Sequence, residues 1–120
     1  MSQFISLELA ADMTTRFRNN RNTILQSSYQ NQNILCICET FDRSAFDTIL
    51  AQTGCASVRI YYGMDENLKV HAIIVAADEE GHDILPGSTA NFIDPEEDES
   101  IIETGVRCPE SCPPESDLNS

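Results

Sequence analysis

Tryptophan is absent and lysine occurs once, at Lys69. The core must therefore come from Ile, Leu, Val, Phe, Tyr and Ala. No apolar run approaches the ~20 residues that a membrane-crossing helix needs, so no membrane partner is expected. The stretch from Met1 to Ala11 has no basic region and no long apolar core of the signal-peptide kind. It carries Glu8, and Asp12 follows. The expected location is cytoplasmic. The five glycines are scattered, and no glycine-rich phosphate loop or serine nucleophile elbow is formed. His71 and His82 are the only imidazoles, with no thiol or serine at a diagnostic spacing. No internal repeat is visible.

What is present is acid. The 120 residues carry a net charge of -13, unevenly spread. Residues 94–120 hold nine acids and one base, Arg107; residues 1–93 hold eleven acids and six bases. Phosphate backbones repel such a surface, so nucleic acid is not an expected partner. A protein partner or self-association remains compatible. The length fits one domain. The expected organisation is one α+β domain over residues 1–93, followed by an acidic Cys/Pro-containing segment over 94–120, partly docked and with an unordered end. The cysteine count of five is odd, which favours thiols over a disulfide framework.

Local patterns give the elements. Ser6 can cap a helix in which Leu9, Met13 and Phe17 recur at i, i+4 and i+8, widened by Ala10. Arg16, Arg18 and Arg21 suit its C-terminal end. From Asn22 to Asn33 the chain is polar and reads as a loop, with Ile24 and Leu25 as candidates to pin it. Ile34 to Cys38 is short and apolar: a buried strand, or the opening of the next helix. Asp42 reads as an N-cap for a helix from Arg43 to Gln52 with Ala45, Phe46, Ile49 and Leu50 on one face. Gly54 suits its C-terminal cap. Ser57 to Tyr62 alternates, with Val58, Ile60 and Tyr62 on one side and Arg59 and Tyr61 on the other. A turn at Gly63–Asn67, a strand at Leu68–Ala77, a turn at Asp78–Gly81 and a short strand at His82–Leu85 complete an antiparallel meander. Two amphipathic helices ahead of it are expected to pack on one sheet face. Pro86 and Gly87 end the regular part, and Asn91 to Ile93 reads as a return to the body. Asp94 to Ser100 reads as a solvated charge run. Ile101, Ile102 and Val106 are candidates to anchor the tail.

Several of these segments together form a pattern. Gly54-Cys55, Val58-Arg59-Ile60-Tyr61-Tyr62-Gly63, Asp78 to Asp83 and Cys108-Pro109-Glu110-Ser111-Cys112-Pro113 stand in that order. The chain thereby resembles a family of small uncharacterised bacterial proteins with an early helix, an RIYxG strand, a DxxGxD-like turn and a C-terminal CPxxCP segment. The resemblance spans most of residues 5–113. It implies a coherent domain and brings no activity, ligand or catalytic residue. Cys36 and Cys38 stand outside the pattern.

Three constellations can carry chemistry. Cys108 and Cys112, with three residues between them, fit zinc-ligand spacing, and Cys36, Cys38 and Cys55 can in principle complete a site. The plainer reading makes Cys36, Cys38 and Cys55 small buried hydrophobes. A reversible disulfide between Cys108 and Cys112 is a third option, with Arg107 favouring the Cys108 thiolate and Glu110 opposing it. Asp78, Glu79, Glu80 and Asp83 crowd a turn beside His82. That suits acid–base chemistry or a cation, but hairpin chemistry alone explains it. Arg59 and Tyr61 share a strand face and can grip an anionic ligand, or simply pack across the sheet. The charge run at Asp94–Ser100 lacks calcium-loop spacing. With no catalytic machinery in view, the leading expectation is a non-enzymatic binding or protein-interaction module with no cofactor. The alternatives are a zinc-binding or thiol-redox protein using Cys108 and Cys112, and a small enzyme with acid–base residues near Asp78 to Asp83.

Overall fold

The computed structural model describes residues 3–86 and 101–119. The readings at Gly87, Asn91–Ile93 and Asp94–Ser100 fall outside the described residues. In chain order the elements are α1 (Leu7–Asn20), a 3-10 turn (Ser27–Tyr29), β1 (Cys38–Thr40), α2 (Arg43–Leu50), β2 (Ser57–Met64), β3 (Val70–Ala77), β4 (Asp83–Ile84), β5 (Ile101–Ile102) and β6 (Val106–Cys108). The fold class is α+β. No described helix is long and apolar enough to cross a membrane. The chain divides into two units, residues 40–106 and residues 1–39 with 107–120.

The sheet of residues 40–106 is antiparallel. β2 pairs β3 over its whole length, from Ser57 with Ala77 to Met64 with Val70. The other edge of β3 takes β4 at Ala76 and Ala77 and β5 at Ile74 and Val75. Alternation puts Val58, Ile60, Tyr62 and Met64 on one face, together with Ile74, Ala76, Ile84 and Ile102 from the neighbouring strands. α2 packs on this face. Ile49 is fully buried there against Ile74, Ala76, Ile84 and Ile102, with Phe41, Ala45, Phe46, Cys55 and Val58 around them. The Phe41 and Phe46 rings meet edge to face, their centroids 6.1 Å apart.

Helix length limits this core. The eight residues of α2 span about 12 Å, against about 27 Å for the eight residues of β2. The far end of the face is left bare: Ile60, Tyr62 and Met64 are 51%, 79% and 61% exposed.

Turn chemistry fixes the register. In the β2–β3 turn the Asp65 carboxylate accepts the backbone N–H groups of Asn67 (2.8 Å) and Lys69 (3.0 Å). In the β3–β4 turn Asp78 does the same for Glu80 and His82, both at 2.9 Å, and Gly81 takes φ +89. That conformation is open to glycine at little cost. β2 runs two residues further than the alternation at Ser57–Tyr62 predicts, through Gly63 and Met64. A Cβ at Gly63 would come 2.5 Å from the Ile73 Cδ1 atom, so the bare backbone there leaves room for Ile73.

In the other unit, Ser6 caps α1 as expected, its hydroxyl accepting the Leu9 N–H at 3.1 Å. No residue of α1 is buried, however. The expectation of two helices on the sheet is therefore met by α2, while α1 belongs to the other unit. Of the two residues expected to pin the loop, Ile24 is exposed and Leu25 is half-buried. Ile34 is buried, but the strand begins only at Cys38, where β1 pairs β6. Arg107 ties the tail down by donating to the carbonyls of Asn33 and Ile34, both at 3.2 Å. The Ile37 N–H donates to the Cys108 carbonyl at 2.6 Å. Where the sequence reads as an unordered end, Arg18 donates to the Leu118 carbonyl at 2.7 Å and Asn119 closes a turn on Ser116.

Candidate functional site

Arg59 and Tyr61 sit on the sheet face opposite α2, two residues apart on β2. Both reach across β3 to Asp83 on β4. The Tyr61 hydroxyl donates to one carboxylate oxygen at 2.6 Å, and the Arg59 guanidinium pairs with the other while donating to the Gly81 carbonyl at 2.9 Å. Of the β3 residues on this face, Val75 and Ala77 are buried and His71 and Ile73 half-buried. Tyr61 and then Arg59 hold the Asp83 carboxyl below the usual range, because both stabilise its charged form. The same bonds push the Tyr61 hydroxyl and the Arg59 guanidinium up. The two residues singled out as an anion grip are thus joined by an internal carboxylate. Asp83 is the member that sequence reasoning assigned elsewhere. Its signal was its place just after the Asp78 turn, which brings β4 beside β3.

The acid–base candidates come together only in part: His82 lies beside Asp78 and Glu80, and Asp83 is turned to other partners. Asp78 is occupied by the backbone of its own turn, and the His82 N–H holds its carboxyl below the usual range. The His82 side chain is 71% exposed, with Nδ1 at 3.4 Å from Asp78 and 3.6 Å from Glu80. Asp83 faces Arg59 and Tyr61 instead. An open depression of about 400 Å³ is lined by Gly54, Cys55, Asp78, Glu79 and Glu80, without His82 or Asp83. A pair that sequence reasoning missed lies at the other end of β3. His71 Nε2 stands 2.7 Å from Asp65, whose carboxyl is held low by His71 first and then by the turn N–H of Lys69.

The cysteines resolve differently from the thiol expectation. Cys108 and Cys112 are joined in a disulfide, while Cys36, Cys38 and Cys55 are free. The bond takes both sulfurs out of the zinc site considered above. Among the described residues no group of three or more His, Cys, Asp or Glu side chains is placed to hold a metal ion. Cys36 lies 3.8 Å from Glu39, and burial pushes its thiol up despite Arg107. Cys55 contributes to the sheet core, as a small hydrophobe would.

Several apolar side chains of the described residues are exposed. On α1 and just before it, Phe4 is 92% exposed, and Ile5, Leu7, Leu9, Met13 and Phe17 are also exposed. The bare end of the sheet adds Ile60, Tyr62 and Met64. The α1 stripe was legible as periodicity. Its exposure was not, because periodicity reports a face and not what lies on it. No family model, no curated protein and no solved structure matches this chain.

Proposed function

We infer that this chain is a small non-enzymatic binding module that acts through protein contacts. The observation that carries this reading is α1. It is a 14-residue amphipathic helix with no buried residue. An isolated helix of that length is marginal in water, and helices in proteins are stabilised mainly by packing an apolar face. The Leu9–Met13–Phe17 stripe has the i, i+4, i+8 form that docks into an apolar groove of a partner. The non-enzymatic part is supported by the exposure of His82 beside Asp78 and by the engagement of Asp83 with Arg59 and Tyr61.

The test compares wild type with a Leu9→Asp, Met13→Asp double variant as baits, together with thermal unfolding of each. Neither side chain is buried, so the melting temperature should change little while specific partners are lost. Recovery of the same partners by both forms, or neither partner nor self-association in wild type, would overturn the reading.

A second reading, thiol–disulfide chemistry, rests on the Cys108–Cys112 bond. Cys108 is buried and Cys112 exposed, so an attacking thiolate would reach Cys112 first and release Cys108 as the leaving thiol. A cytoplasmic setting is part of the proposal. The three free thiols agree with it, and a disulfide there would be reversible. A denatured thiol count of three, rising to five on reduction, is expected. Five thiols without reductant would remove this second reading.

A further inference from the structure

The alternation of backbone bonds decides what β2 offers on its outer edge. In an antiparallel ladder, residues that exchange backbone bonds with their partners alternate with residues that do not. The Asp65 N–H donates to the Lys69 carbonyl at 3.0 Å, in continuous register with Met64 opposite Val70. Gly63, Tyr61, Arg59 and Ser57 therefore use their N–H and C=O groups on β3. At the far end the Ala56 N–H also donates to the Ala77 carbonyl, at 2.8 Å, so that end too is committed to β3. The other edge of β3 agrees: Asp78 N–H donates to the His82 carbonyl, which puts Ala76 and Ile84 among the bonded pairs there. It follows that Val58, Ile60, Tyr62 and Met64 turn their N–H and C=O groups outward. Among the described residues no strand pairs with that edge.

The same residues carry the bare apolar side chains Ile60, Tyr62 and Met64. Edge strands of soluble proteins are commonly blunted by lysine, proline or inward-pointing charge. β2 has no proline, lysine or carboxylate, and its one charge, Arg59, is already held by Asp83. In a chain of net charge -13 this is a stretch where an identical molecule can approach without carboxylate meeting carboxylate.

We propose that β2 is a self-association edge: two copies pair their β2 strands antiparallel about a two-fold axis at Tyr61, joining their sheets into one. This register alone uses every outward group of all four residues, setting Val58 against Met64 of the second copy and Ile60 against its Tyr62, and the reverse. One face of the seam is then apolar throughout. On the other face Arg59 stands opposite Gly63, the one residue of β2 without a side chain, and Ser57 stands opposite Asp65. The two Tyr61 residues meet at the axis as a non-bonded pair, the closer kind. No like charges face each other. The occupant is a second copy because each position of the strand is met by a compatible position of the same strand.

This goes beyond the α1 reading and rests on a different surface, so the two fail separately. Sedimentation equilibrium on the full chain, from low micromolar to millimolar, should show a monomer–dimer equilibrium. Tyr62→Lys should weaken it by about tenfold or more, as charge on an edge strand does. Ile60→Pro removes an outward N–H together with the Ile60 side chain, takes no N–H from the β3 ladder, and should weaken dimerisation similarly. If either variant unfolds, Tyr61→Cys supplies the answer: under oxidation it should cross-link two copies through position 61, where Met64→Cys should not. The Leu9→Asp, Met13→Asp variant should still dimerise. A wild type that stays monomeric at millimolar concentration, a dimer indifferent to both β2 variants, or a dimer abolished by the α1 variant alone would each overturn the proposal. The last two outcomes would leave the interaction reading standing.

Discussion

Asp83 shows how one side chain can settle what two others do. Alone, Arg59 beside Tyr61 has the form of an anion grip. With Asp83 opposite, both are internal partners, and the face is braced across β3. The braced state has a pH signature. The Asp83 carboxyl sits below its ordinary value in the folded chain, so the unfolded chain binds a proton more readily. Its contribution is present above about pH 4, the unfolded carboxyl range, and is lost as pH falls through the depressed folded value. Asp83→Asn removes that dependence. Urea midpoints of wild type and variant should differ at neutral pH and converge in acid. A difference that persists unchanged at the lowest accessible pH would contradict the assignment. Asp65 and Asp78 are depressed for parallel reasons and add to the acid lability of wild type. Ile49 makes the opposite kind of contribution, through packing alone. It is fully buried, and Ile49→Ala should cost about 2–5 kcal/mol in denaturant unfolding. Ile60→Ala, on the same sheet face but half exposed, should stay within about 0.5 kcal/mol at concentrations where the chain is monomeric.

Among the elements, the two helices begin with different end chemistry. Ser6 makes the cap bond of α1, whereas Asp42 stands at the α2 N-cap position without making one. Ser6→Ala should destabilise α1 by about 1 kcal/mol, read as faster amide exchange in its first turn. Asp42→Ala should cost α2 only a few tenths, the part due to charge near the helix start. Equal effects at the two sites would contradict the geometry. Elements with local causes were legible: α1 from its cap and period, the β2–β3–β4 meander from alternation and the Asp/Gly turn. Elements made by distant pairing were not. β1 begins at Cys38 instead of Ile34 because β6, sixty-odd residues later, supplies its partner. Ile101 and Ile102 are anchored as expected, but as a strand on β3, which no local pattern announces. The disulfide was one of three open readings of Cys108 and Cys112, since spacing alone does not separate a bond from a ligand pair.

For the whole molecule the decisive balance is between charge and bare apolar surface. A net charge of -13 keeps copies apart over most of the surface. The strand β2 adds no carboxylate to that repulsion, and its edge is also where packing is incomplete. Association through β2 should therefore strengthen as salt screens the acidic remainder, since the strand contributes no carboxylate of its own. A dimer that weakens with added salt would point to ion pairs and away from this seam. Candidate chemistry was only partly legible at this scale. Arg59 and Tyr61 were found, but their engagement was not, because Asp83 reaches them across a strand that sequence order does not reveal.

Amide hydrogen exchange along β2, followed residue by residue against protein concentration, bears on this account at its foundation. Arg59, Tyr61 and Gly63 should be protected at every concentration, since their N–H groups are committed to β3. Ile60, Tyr62 and Met64 should exchange freely in dilute protein and become protected as the concentration rises. Protection of those three that is already present in dilute protein, or that never appears, would contradict the proposed edge.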